Sequence, residues 1–343
     1  MITIKGICKQ YFGYDKVIDD LSLDISTGEH IIIYGASGSG KTTLLKLLAG
    51  LIDADEGEIL INGRNIKDIR PKDLDAAMIF EDLAIPKYKV VRKILRRPFL
   101  LRGMKRKQAG EKVREIAEKL SLTPHLDTPG ILLNMYDRVR TAVTRAIMRE
   151  PEILLADNPL KNLSIPERKE YFPEFYRLIS QLKGTVIYCT DDREEMKYSD
   201  GRIVILENGY IKQIGLYREL LVNPHNLSVA RIINNDMNFI PCALSNGKVI
   251  IFGKNFETSL ENTCEKDAVI GIHADKLRLV KGGVLPVKMN YLRGDGRAEV
   301  EIDGVFIICN ALDKDADGIN IDISEAFIFD SADEKRIYGE ITT

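Results

Sequence analysis

The chain has 343 residues and a mass of 38.7 kDa, room for two or three domains. Its 45% hydrophobic and 29% charged residues exclude a disordered chain. Its apolar runs fall far short of the roughly 20 residues that a membrane-spanning helix needs. The net charge of −2 is unevenly placed. Residues 1–236 carry 37 Lys and Arg against 33 Asp and Glu, and residues 237–343 carry 12 against 18. The acidic balance of the second part argues against nucleic acid, whose phosphates call for Lys and Arg. The five cysteines (Cys8, Cys189, Cys242, Cys264, Cys309) are scattered, and none forms a Cys-x-x-Cys pair. Neither a zinc site nor a disulfide framework is expected, and a reducing cytoplasm fits. The first residues, MITIKGICKQY, lack a charged region followed by an apolar stretch, so no secretory leader is expected.

In chain order, the first clear element is the apolar run at 31–34, read as a short buried strand. It leads through Gly35, Ala36, Ser37, Gly38, Ser39, Gly40, Lys41 and Thr42 into an apolar helix beginning at Thr43. That segment matches G-x-x-x-x-G-K-[ST] between a strand and a helix, the context in which backbone N–H groups cradle a phosphate chain. Lys41 can reach the β- and γ-phosphates, and the Thr42 hydroxyl can bind Mg²⁺. Residues 83–110 hold ten basic residues and no acid. Two readings stand for this run: a solvated helical face, or a surface turned toward anionic lipid head groups or a membrane partner. Residues 86–150 read mostly as helix, with strong helix formers over 108–120. The runs at 153–156 and 186–189 are further buried strands, which suit a parallel sheet covered on both faces. Beyond Pro241, short strands at 249–252, 305–308 and 326–329 alternate with turn signals and predict a small all-β domain. Asp313-Lys314-Asp315-Ala316-Asp317-Gly318 opens like a calcium loop, but the twelfth position is Ser324, so an Asp/Gly-rich turn is expected.

Further segments extend the phosphate loop into a longer pattern. They are Lys9-Gln10-Tyr11-Phe12-Gly13, Leu47-Leu48-Ala49-Gly50-Leu51, residues 56–63, and Arg145-Ala146-Ile147 followed by residues 150–157. Residues 236–241 and Gly271-Ile272-His273-Ala274-Asp275-Lys276-Leu277-Arg278-Leu279 continue it toward the C-terminus. Over essentially its whole length the chain resembles the ATP-binding subunits of ABC transporters, nearest to maltose-type carbohydrate importers with a C-terminal TOBE domain. The resemblance implies that Tyr11 stacks on adenine, with Phe12 as the alternative, and that Gly35 to Thr43 bind ATP. Thr42, Asp157 and Glu81 would hold Mg²⁺. His273 stands where the family usually has Arg and is read as a surface or internally satisfied histidine.

Departures fall on the hydrolytic positions. The family's Leu-Ser-Gly-Gly-Gln corresponds here to Leu133, Asn134, Met135, Tyr136 and Asp137. Asn158 stands at the catalytic Glu and Asp191 at the switch His; Glu81 replaces the loop Gln, and Ser164 the acid after the Walker B strand. An amide cannot serve as a general base. Two readings remain: a subunit that binds ATP and turns it over slowly or not at all, or hydrolysis by an altered constellation using Asp191 or Asp192. The expected fold is a P-loop α/β domain over residues 1–236, with a helical subdomain at about 86–150, then an OB-like β domain over 237–343. The expected partners are a second ATP-binding subunit (the same chain or a paralogue) and membrane permease subunits, with no nucleic acid. The expected place is the cytoplasmic face of the membrane, and the expected role is in import of a carbohydrate or similar solute. The rival reading is a nucleotide-binding regulatory or structural subunit.

Overall fold

The computed structural model describes residues 1–13, 15–71, 73–148, 150–258, 265–292, 295–311 and 316–337, with the backbone alone at 289–292. Residues 313–315 of the Asp-rich turn, and Cys264, lie outside the described residues. The chain divides into two units, Met1–Tyr217 and Arg218–Thr343.

In the first unit a six-stranded sheet has the order Tyr210–Gly215, Ile203–Glu207, His30–Tyr34, Thr185–Thr190, Ile153–Asp157 and Ala76–Ile79. All its pairings are parallel except the first, as the continuous apolar runs imply. A separate antiparallel sheet of Ile2–Gln10, Lys16–Ile25, Glu56–Ile61 and Arg64–Asn65 packs on the same core. Its strand Lys16–Ile25 alternates buried and more exposed positions over its second half, so one face there is apolar. The helix Lys41–Leu48 buries Leu44, Leu45, Leu47 and Leu48 in the one core that both layers share. Full burial of each leucine stabilises by roughly 1.5–3 kcal/mol, which fixes the N-terminus of this helix at the sheet edge.

The stretch expected to be mostly helical forms Val91–Leu101, Arg106–Lys119 and Met135–Ile147. The first two pack through Val91, Leu95, Phe99, Ala109, Val113 and Ala117, at the apolar spacing of one helix face. Of the ten basic residues, nine are exposed and Arg96 is half-buried. Arg92 pairs with Asp127 and Arg102 with Asp75, both acids from outside the run. No helix among the described residues is long and apolar enough to cross a membrane.

The second unit holds two six-stranded sheets around one core that includes Ile240, Leu244, Ile270, Leu277, Val300 and Ile307. It starts earlier than the boundary at 236 read from the sequence. Residues 218–236 belong with it because the helix Leu227–Ile233 packs Leu227 and Ala230 on Phe329. The Leu227 N–H also donates to Glu334, and Arg336 N–H to His225, at 2.9 and 3.0 Å. The β domain thus carries short helices at its entry. His273 lies half-exposed, its Nδ1 accepting from the Asp275 N–H at 3.4 Å as the cap of a short 3-10 turn.

Candidate nucleotide site

The parallel register brings three loops to one edge of the sheet. Tyr34 pairs with Thr190 and Asp157 with Cys189, so Gly35, Asn158 and Asp191 leave the sheet side by side. The Gly35 N–H donates to Thr190 O at 3.2 Å, and the Asn158 N–H to Cys189 O at 2.9 Å. The loops that begin at these residues border a cleft of about 140 Å³ lined by residues 37–43 together with Val17, Glu81, Asp157, Asn158, Lys161 and Asp191.

The phosphate-loop wall requires glycine at two points. A Cβ on Gly35 would lie 2.3 Å from Ser39 Oγ and 2.5 Å from Leu206 O. Gly40 has φ 105°, in the left-handed region that a side chain disfavours. Gly40 also caps the helix Lys41–Leu48 with no side-chain acceptor, which leaves the first N–H groups of that helix to an anion. Lys41 is buried, and its ammonium donates to the carbonyls of Gly35 and Ala36 at 2.5 and 2.8 Å and to Ser39 Oγ at 3.3 Å. Burial pulls its pKa below the ordinary lysine value, so a phosphate beside it would favour the charged form. Thr42 Oγ1 donates to Asp157 Oδ1 at 3.0 Å. Burial raises the Asp157 pKa, against the lowering by Thr42, and the Glu81 charge raises it further. Two such oxygens with excess negative potential fit a hard divalent cation.

The facing wall differs. Asn158 is buried at φ 42°, and its Oδ1 has no hydrogen-bond partner among the described residues. Glu81 accepts from Lys161 Nζ at 2.9 Å. Asp191 Oδ1 lies 3.9 Å from Arg168, whose guanidinium is nearer Asp192 at 3.2 Å. Behind them, buried Glu195 accepts from the hydroxyls of Tyr188, at 2.6 Å, and Thr190. Ser164, where the family has an acid, caps the helix Ile165–Ser180 in a capping box with Glu167. Tyr11 and Phe12 are exposed and are not among the residues lining the cleft. Sequence reasoning overlooked Val17 and Lys161. The available signal for Lys161 was a basic residue in the loop just after the Walker B strand.

Leu133 to Asp137 form the start of the helix Met135–Ile147. Leu133 is buried in the helical core. Asn134 is the N-cap, its Oδ1 accepting from the Asp137 N–H at 2.8 Å. Tyr136 packs edge-on against Tyr171 with ring centroids 4.7 Å apart, under Arg140. Asp137 is buried in the first turn with its Oδ2 3.4 Å from His125 Nε2. The helix end is therefore served by the segment's own side chains.

A glycine-rich loop on a parallel strand, an uncapped helix N-terminus and a Thr–Asp oxygen pair define a nucleotide-binding P-loop protein. The sequence profile of the family described as ABC transporter matches residues 18–161. The trehalose import ATP-binding protein SugC of Mycobacterium tuberculosis is 37% identical over 255 residues, covering 74% of this chain. The chain spans only 65% of that relative's length. The sn-glycerol-3-phosphate import ATP-binding protein UgpC 1 of Rhizobium johnstonii is 30% identical, over 98% of this chain and 95% of its own. Among solved structures, the dimeric ATP-binding cassette MJ0796 bound to ADP and Pi aligns with a TM-score of 0.56 at 22% identity. It covers 63% of this chain and 98% of its own, a likeness of fold. The chain belongs to the ABC transporter family.

Proposed function

We propose that the chain binds ATP with Mg²⁺ as the nucleotide-binding subunit of an importer for a carbohydrate or similar small solute. In this reading residues 35–43 hold the phosphates, Lys41 faces the β- and γ-phosphates, and Thr42 and Asp157 hold the metal. Glu81 is the third candidate ligand, drawn partly away by Lys161. Bound Mg²⁺ would offset the charge of the terminal phosphates. Tyr11 would stack on adenine from outside the cleft lining. The subunit would sit at the cytoplasmic face of the membrane, against permease subunits and a second ATP-binding subunit, a copy of itself or a paralogue. The similarity to import ATP-binding proteins supports the import role, and the exposed basic residues of the helical part suit an anionic lipid surface. The domain division at 236 enters as the start of the TOBE-like strands, with residues 218–236 as their lead-in.

The observation that carries the binding reading is Lys41, buried at the start of a helix with no side-chain cap, beside the Thr42–Asp157 pair. Turnover is proposed to be weak. Asn158 offers no base, Asp191 carries negative charge into the cleft, and Asn134 caps the helix end that the family turns toward the opposite chain's nucleotide. Pairing with an intact paralogue completes neither composite site. Isothermal calorimetry of ATP·Mg²⁺ on wild type and Lys41→Ala tests the binding reading, and equal affinities would defeat it.

A further inference from the structure

Lys161 has no counterpart role in the phosphate loop, yet it lines the same cleft as Lys41, Thr42 and Asp157. Its loop is held in place. The Lys161 N–H donates to Asn158 O at 3.1 Å, Arg168 donates to Lys161 O at 2.8 Å, and Asn162 Nδ2 donates to Glu81 O at 3.2 Å. Its ammonium donates to Glu81 at 2.9 Å, which raises its pKa, and the charges of Asp191 and Asp157 act in the same direction. One donor spent on Glu81 leaves two.

This pair is a poor strut. The Lys161 and Glu81 side chains are 37% and 43% exposed, a setting in which ion pairs contribute little to stability. Its effect falls on the cleft. The charged groups lining it are two lysines and three carboxylates, Glu81, Asp157 and Asp191. Without Lys161, Lys41 alone would oppose three carboxylates around a polyphosphate. Arg168 cannot take over, since it stands outside the cleft lining and lies nearer Asp192 than Asp191.

We infer that Lys161 is a specificity-determining residue for the terminal phosphate: by pairing with Glu81 and offering two further donors to the cleft that it shares with Asp191, it makes a nucleoside triphosphate the favoured occupant over a diphosphate. The inference rests on the nucleotide reading above. It makes Glu81 and Lys161 one pair, with Asp191 a further acid on the same cleft.

The test is calorimetry of ATP·Mg²⁺ and ADP·Mg²⁺ on the full chain. Lys161→Ser should weaken ATP by roughly tenfold or more, the scale of a charged hydrogen-bonding partner, and ADP by much less. Lys161→Arg should keep ATP affinity, and adding Glu81→Gln to Lys161→Ser should recover part of the loss, the share due to the unpaired Glu81 charge. The inference is overturned if Lys161→Ser leaves ATP affinity unchanged, weakens ATP and ADP alike, or is not relieved by Glu81→Gln. If Lys41→Ala abolishes ATP binding while Lys161→Ser does nothing, the inference fails and the nucleotide reading stands. If wild type binds no ATP, both fail.

Discussion

The two walls of the phosphate cleft are built from different parts of the chain. The loop wall, residues 35–43, keeps every feature that phosphate binding needs: close-packed Gly35, left-handed Gly40, buried Lys41 and an uncapped helix. The facing wall, from the loops after three other strands, carries Glu81, Asn158, Lys161 and Asp191. The loop wall binds what is already charged in the ground state, whereas the facing wall would have to act on the transition state. Separate loops let one change without the other, so binding and turnover are separable properties of this site.

The strongest way to break the contrast is to rebuild the facing wall. Asn158→Glu, Asp191→His and a Ser-Gly-Gly replacement of 134–136 together should raise phosphate release by roughly 10²–10⁴-fold, the scale of general-base and charge-stabilisation effects. Asn158→Glu alone should recover little, since groups that act as a unit are far from additive. Lys41→Ala is the blank. Wild-type release matching that of ordinary family members, and abolished by the blank, would refute the weak-turnover proposal and favour Asp191 or Asp192 as base.

Breaking the loop wall should give the next largest effect. Lys41→Ala is expected to weaken ATP by about tenfold to a hundredfold, because it deletes a charge-assisted donor to the phosphates. Calorimetry reads this directly.

A third outcome sharpens the picture of the facing wall, because Glu195 lies under it through Thr190. Burial pushes the Glu195 carboxyl up to about 7, against the lowering by the hydroxyls of Thr190 and Tyr188. A folded-state pKa above the unfolded value means that the folded state holds the extra proton between about pH 4.5 and 7. Stability should therefore be highest below that window and fall as pH rises through it, by roughly 3–4 kcal/mol at 1.36 kcal/mol per pKa unit. Urea unfolding across that range checks it. Glu195→Gln should flatten the glutamate's share of the slope, and an unchanged slope would show that other groups set it.

The smallest effect concerns the basic residues of the helical part, which lie outside both walls. Co-sedimentation with anionic vesicles should exceed that with neutral ones and weaken with salt, at about 1 kcal/mol per basic residue near the surface. Equal binding to both would leave a solvated face.

The sequence alone determined the loop wall and the strand behind it. Phosphate binding there depends on backbone geometry, and only Gly at 35 and 40 permits it, so residue type and spacing carry the information. The continuous apolar runs at 31–34, 153–156 and 186–189 likewise marked the buried parallel strands, because a strand covered on both faces has no polar side. The antiparallel layer was harder to read: one of its strands alternates like any half-exposed segment, and its partners lie far away in sequence. Tertiary structure alone decided what some of the altered residues do. Tyr136, in place of a family glycine, packs on the distant Tyr171, whereas the caps made by Asn134 and Ser164 use neighbours three residues on and so follow local spacing. Lys161 reads as a loop lysine until Glu81, 80 positions earlier, is found 2.9 Å from its ammonium. The domain seam at 217 was hidden for the same reason, since the packing of Leu227 and Ala230 on Phe329 joins segments about a hundred residues apart. Local spacing encodes geometry that a few neighbouring residues complete by themselves, whereas charge compensation and packing depend on which distant segments the fold brings together.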